Sequence, residues 1–166
     1  MTDHRSHAEA WATALTSDTD ELLGLFADDF VYDDHADRDH VLDTAITKDE
    51  LRPFVAPFAN ADPGNGVGTH TFTVTESFPV AGRGGDPAVV ILWDWTGEGL
   101  DTYRGVPVNG RTLHTRGITW HQLNAEGKIV HESTYWNDTP VLQELGIPLI
   151  TPEYWVEGFD PASIGA

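Results

Sequence analysis

The sequence predicts an α+β fold: a strongly curved antiparallel sheet forming a cone around a pocket, with the N-terminal helices packed on its concave face. Two observations carry this reading. Apolar residues recur at helical spacing through most of the first 60 positions, and four long stretches after residue 68 are rich in β-branched and aromatic residues. Helices first and a run of strands afterwards is the order of an α+β domain whose helices cover one sheet face.

Residues 5–26 read as helix, with Ala8, Trp11, Ala12, Leu15, Leu22, Leu23, Leu25 and Phe26 on one stripe. Ser17-Asp18-Thr19-Asp20 interrupts it and supplies N-cap residues for a second helix starting near Thr19. Phe30–Tyr32 is a short strand, the acidic loop 33–39 follows, and Val41–Ile46 is a candidate returning strand. Thr47 and Glu50 form a capping box for a third helix through Phe54 and Phe58. Thr69–Phe78, Ala88–Thr96, Arg111–Leu123 and Lys128–Trp136 are the long strands. Ala81–Gly85 and Ala125–Lys128 are hairpin connections, and Gly97–Gly110 is a longer loop. A short helix, Thr139–Leu145, precedes a Pro-broken aromatic tail. The whole chain, 1–166, reads as one domain with 147–166 as a C-terminal extension.

Composition narrows the function classes. At 166 residues the chain can bury roughly 70% of its unfolded surface. It carries 27 Asp+Glu against 9 Lys+Arg, a formal charge of −18. Such a surface repels phosphate backbones and anionic lipids, which argues against nucleic-acid and membrane partners. There is no cysteine, hence no disulfide, thiolate metal site or cysteine nucleophile. No apolar run reaches the roughly 18 residues of a membrane span, and the start lacks a signal-peptide layout, so the expected location is the cytoplasm. Neither a glycine-rich phosphate cradle nor a G-x-S-x-G elbow is present, and no cofactor is expected. The run Asp33–His40 could offer carboxylates to a hard cation, but its spacing matches no Ca²⁺ loop. A solvated acidic loop is the reading adopted, with no metal.

Two stretches carry a resemblance. Leu25–Asp34 followed by Lys48–Phe54 resembles the opening of the nuclear transport factor 2-like superfamily, which includes ketosteroid isomerases. Tyr103–Arg111 with its G-x-P-x-x-G-R entry, Gly127–Glu132, Tyr135–Asp138 and Leu142–Gly146 look like the SnoaL-like polyketide cyclase branch. Together they cover about two-thirds of the chain. The resemblance implies a cystatin-like cone, a small hydrophobic substrate and a homodimer. The superfamily hosts cyclases, isomerases, dehydratases and pure binding modules, so the reaction must be argued from the site.

Carried over residue by residue, the resemblance implies Asp138 as the acid/base aspartate and His121, on the preceding strand, as its partner. Burial of such a carboxylate favours proton transfer near neutrality; Asp138 is equally placed to N-cap the helix from Thr139. Strand alternation leaves open whether the His121 face or the His114 face lines the pocket. Asp34 matches the isomerase's proton-shuttling base and shares a strand face with Tyr32, but the isomerase's oxyanion tyrosine falls at Ala10. His70 matches the catalytic histidine of scytalone-type dehydratases, whose partner aspartate falls at Leu15. Trp93 and Trp95 share a face with Asp94 opposite, and with Tyr32 and Trp136 they are candidate aromatic walls for a flat ligand or else packed core. The expected function is cofactor-independent acid–base catalysis on a hydrophobic carbonyl compound, with polyketide-type aldol cyclisation foremost. Isomerisation, dehydration and non-catalytic binding are the alternatives.

Overall fold

A computed structural model describes residues 3–34, 44–61, 67–147 and 157–158, with the backbone alone at 34 and 44. The acidic loop beyond Asp34, positions 41–43 of the returning strand, the end of the third helix segment and nearly all of the aromatic tail lie outside these residues. So does the side chain of Asp34.

Helix α1 spans His4–Ser17 and α2 spans Thr19–Gly24. Asp18 separates them: its backbone is extended, and its carboxylate accepts from the N–H groups of Asp20 and Glu21. Strand β1 follows at once, Phe26–Asp34, and pairs with β2, Thr44–Ile46. The strand therefore begins four residues earlier than its sequence suggests. Phe26 and Phe30 are four apart, a spacing that keeps one face in a helix and equally in a strand. Both rings point inward, 4.8 Å apart.

The capping box at Thr47 and Glu50 opens α3, Lys48–Val55, and a 3₁₀ turn at Ala56–Phe58 extends it. The long strands are β3 (Thr69–Ala81), β4 (Pro87–Glu98), β7 (Leu113–Leu123) and β8 (Ile129–Trp136). The Gly97–Gly110 loop contains a small hairpin of its own, β5 (Thr102–Tyr103) with β6 (Val106–Pro107). Helix α4, Thr139–Glu144, follows the last long strand.

Six strands form an open curved sheet in the order β2-β1-β8-β7-β4-β3. Its pairs are antiparallel except β1–β8, where the first strand runs parallel to the last. Helix α1 lies across β3 and β4 and seals the concave side with Ala8, Trp11, Ala12 and Leu15.

Alternation along β7 settles which face is inside. Leu113, Thr115, Gly117, Thr119, His121 and Leu123 point inward, and His114, Arg116 and Ile118 point out. On β4, Val89, Ile91, Trp93 and Trp95 are inward, directly opposite the β7 set. Two indoles fit side by side in this layer because glycines stand next to them. A Cβ on Gly117 would lie 2.3 Å from the ring of Trp93, and one on Gly97 would lie 2.6 Å from that of Trp95. Gly117→Ala is therefore expected to lower stability by about 1–3 kcal/mol, the range for overpacking a core. Urea unfolding checks this; an unchanged midpoint would show that the indole has slack.

Candidate functional site

The concave side of the sheet encloses a cavity of about 70 Å³. Aromatic side chains dominate its wall, with Trp11 from α1, Phe72 from β3, Trp93 and Trp95 from β4, and Trp136 from β8. Tyr32 from β1 and Phe58 close further sides. Among the described residues that line it, Glu132 is the only one with a formal charge. A volume of roughly 150 Å³ holds a benzene ring. A flat ligand of more than one ring therefore has to reach through the open side or turn the indoles.

Glu132 is 5% exposed and stands directly across the β7–β8 ladder from His121, which is fully buried. His121 Nε2 is 2.8 Å from Glu132 Oε2, so that nitrogen donates to the carboxylate. His121 Nδ1 is 2.9 Å from Nε2 of His7 on α1. Burial first, and the neighbouring His121 second, lower the pKa of His7 to about 4. The other carboxylate oxygen accepts from the Thr134 hydroxyl at 3.2 Å. Thr134 meets Thr119 at 3.0 Å, and Thr119 accepts from the Trp93 indole N–H at 2.9 Å. Two chains of donors thus converge on one carboxylate at the cavity wall, one through imidazoles and one through hydroxyls. The arrangement can accept or return a proton at Glu132 while its position stays fixed.

In the sequence Glu132 closes the Gly127–Glu132 stretch, and no local pattern there gives it a role. Its pairing with His121 depends on a register shift between Gln122 and Leu123, which leaves Val130 unpaired. Without that bulge, ordinary hairpin counting from the 124–127 turn sets Trp120 opposite Glu132 and His131 opposite His121.

Asp138 takes another place. It lies two residues beyond β8, where its carboxylate accepts from the Tyr103 hydroxyl at 2.9 Å and pairs with Arg104 at 2.5 Å. It does not pair with His121, because the ladder gives that histidine Glu132 as its direct neighbour. Nor does its side chain cap α4; Asn137 Oδ1 accepts from the Thr139 N–H instead. Burial and then the adjacent Asp138 charge raise the pKa of the Tyr103 phenol. The Arg104 guanidinium also lies 5.8 Å from the ring of Trp136. These contacts pin the β5–β6 hairpin to the end of β8, beside the aromatic wall.

His70 is buried with both ring nitrogens engaged: Nε2 donates to the Val67 carbonyl at 2.9 Å, and Nδ1 accepts from the Trp95 indole at 3.2 Å. Desolvation lowers its pKa, consistent with a neutral ring stacked on Trp95 at 5.8 Å. Its contacts orient Trp95. The backbone of Asp34 lies opposite Thr134, level with the cavity. Trp93, Trp95, Trp136 and Tyr32 all line the cavity.

No curated protein sequence matches this chain significantly. Among solved structures, a candidate polyketide cyclase from Acidithiobacillus ferrooxidans superposes with a TM-score of 0.67 at 17% identity, covering 88% of this chain and 96% of the other. IdmH, a candidate polyketide cyclase from Streptomyces antibioticus, gives 0.65 at 20% identity, over 87% and 99%. RV0760c from Mycobacterium tuberculosis, in complex with estradiol-17beta-hemisuccinate, gives 0.58 at 20% identity, over 82% and 95%. At these identities the likeness establishes the nuclear transport factor 2-like fold. The sequence model of the SnoaL-like domain matches residues 5–132, most of the chain, and with the helix-lined curved sheet it establishes that this protein belongs to the SnoaL-like domain family.

Proposed function

We propose that the protein is a cofactor-independent acid–base enzyme acting on a small hydrophobic carbonyl compound, with polyketide-type aldol closure as its reaction. The observation that carries this is Glu132, a buried carboxylate backed by His121 and set in an aromatic cavity wall that is otherwise uncharged among the described residues. Glu132 takes a proton from the carbon next to a ketone and leaves an enolate. The enolate carbon forms a carbon–carbon bond with a second carbonyl of the same molecule, whose π electrons move onto its oxygen. Protonated Glu132 returns its proton to that alkoxide. Trp93, Trp95, Trp136 and Tyr32 hold the apolar part of the substrate, His70 orients Trp95, and Asp138 with Arg104 fixes the neighbouring hairpin.

A second reading, a binding module without turnover, draws support from the small cavity volume. One experiment separates the two. Acetophenone is incubated with the protein in D₂O; deuterium uptake at its methyl group is followed by NMR, and binding by tryptophan fluorescence. Uptake faster than in buffer supports the enzyme. Binding without accelerated uptake rejects it in favour of the module.

We further propose a homodimer formed through the outer face of the sheet. Ile118 is 46% exposed there and Tyr135 50%, on adjacent strands, a pair of large apolar side chains open to solvent. Sedimentation at micromolar concentration is expected to give twice the 18.2 kDa chain mass, and a monomer would contradict it.

A further inference from the structure

The hydrogen bonds of His121 set a rule for His7. While Glu132 is ionised, Nε2 of His121 faces a carboxylate that can only accept, and it carries a proton in either charge state of the ring. When His121 is neutral, its Nδ1 is therefore an acceptor, and His7 must donate from Nε2 across the 2.9 Å contact. When His121 is protonated, its Nδ1 donates, and His7 must accept at Nε2 with its proton on Nδ1. Each protonation of His121 is thus matched by a change of tautomer in His7.

The far side of His7 is equally informative. No fully buried side-chain nitrogen or oxygen among the described residues lacks a hydrogen-bond partner. His7 Nδ1 has none among them, so it reaches solvent, although the residue as a whole is only 7% exposed. Imidazole is the one side chain that can receive a proton on one nitrogen and release another from the opposite one near neutral pH. A continuous line therefore runs from solvent through His7 and His121 to Glu132 Oε2 at the cavity.

We propose that His7 and His121 form a proton relay connecting the cavity carboxylate Glu132 to solvent behind helix α1. A proton arriving at His7 Nδ1 releases the Nε2 proton to His121 Nδ1, and His121 passes its own Nε2 proton to Glu132. Passage in the reverse direction restores the starting tautomers, so the path is neutral in net protons. His7 is a positioning and relay residue, distant from the substrate. Its low proton affinity suits a conduit, since a charged His7 passes its proton on instead of storing it. Among the described residues, Trp11, His4 and Arg5 near the line do not compete for the proton. Trp11 meets His121 edge-on at 5.5 Å, and on α1 itself His4 turns to Ser77 while Arg5 turns to Glu9 and the Val74 carbonyl.

The relay rests on Glu132 as the cavity's acid/base, so its test reads proton movement without turnover. In ¹⁵N-histidine-labelled protein, exchange of the His121 ring N–H with solvent is measured in the wild type and in His7→Gln. Gln keeps a hydrogen bond to His121 but cannot hand a proton through. Exchange at His121 is expected to slow by about 10²-fold, the low end of what a positioned proton carrier contributes. The ring N–H of His131, held by Asp33 in a separate buried cluster, serves as an internal control and should not change. Equal or faster exchange at His121, with His131 unchanged, would overturn the relay by showing that local opening is the route. The wild type alone gives a second check through its ¹⁵N shifts. His7 should carry its proton on Nε2 when His121 is neutral as its Nε2–H tautomer, facing ionised Glu132; a His7 fixed as the Nδ1–H tautomer beside that form of His121 would also overturn it. Retained turnover in Glu132→Gln would instead reject the acid/base assignment and leave the exchange result standing.

Discussion

Glu132→Gln is expected to lower deuterium transfer and any turnover by roughly 10²–10⁴-fold, the usual contribution of a positioned acid or base. Gln has nearly the same shape, and its amide oxygen can still accept from His121 Nε2–H. Fluorescence-detected binding should therefore hold while proton transfer fails. Two comparisons make the result specific. Asp138→Asn removes a charge that faces Tyr103 and Arg104, outside the cavity wall, and should leave proton transfer largely intact. Asp34→Asn tests the isomerase-like alternative, since its backbone stands level with Thr134. A Glu132→Gln protein that exchanges normally beside a dead Asp34→Asn would move the base to β1 and refute the assignment.

Stability should fall on acidification because His7 is buried in its neutral form. Its pKa is about 4 in the folded protein against an ordinary 6.5. Between these values the unfolded chain binds a proton that the folded chain refuses, so the free energy of unfolding rises with pH across that window. The stabilisation is fully present above pH 6.5 and is lost as pH falls towards 4. At 1.36 kcal/mol per pKa unit the group contributes about 3 kcal/mol across the window. His70, also lowered by burial, acts in the same direction. The acidic surface works the other way, because protonating carboxylates relieves the repulsion of a chain at −18. The measurement is accordingly a difference: urea unfolding of wild type and His7→Gln at pH 7, 6, 5 and 4. The wild type should lose its advantage over the variant as pH falls. A constant gap between the two curves would show that His7 does not titrate on unfolding.

Much of the architecture was legible because it rests on local rules. The Asp18 cap, the Thr47–Glu50 capping box and the alternation of β4 and β7 each follow from side chains a few residues apart. The aromatic wall was legible for the same reason: Trp93 and Trp95 are two apart on a strand and must share a face. The start of β1 was not, since the four-residue spacing of Phe26 and Phe30 satisfies helix and strand alike.

The site divides along the same line. By itself the sequence determined that no thiol chemistry is available, which strand carries His121 and which rings can line a cavity. Tertiary structure decided which carboxylate meets that histidine. A single unpaired residue, Val130, moves the β7–β8 register by one and brings Glu132 in place of its neighbour against His121. It also decided that His7, 114 positions away, completes the line, because only the docking of α1 on the sheet brings the two rings within 2.9 Å. Contacts between neighbours in sequence are fixed by covalent geometry and periodicity. Those across a ladder or between a helix and a sheet depend on register and packing, which no local pattern specifies.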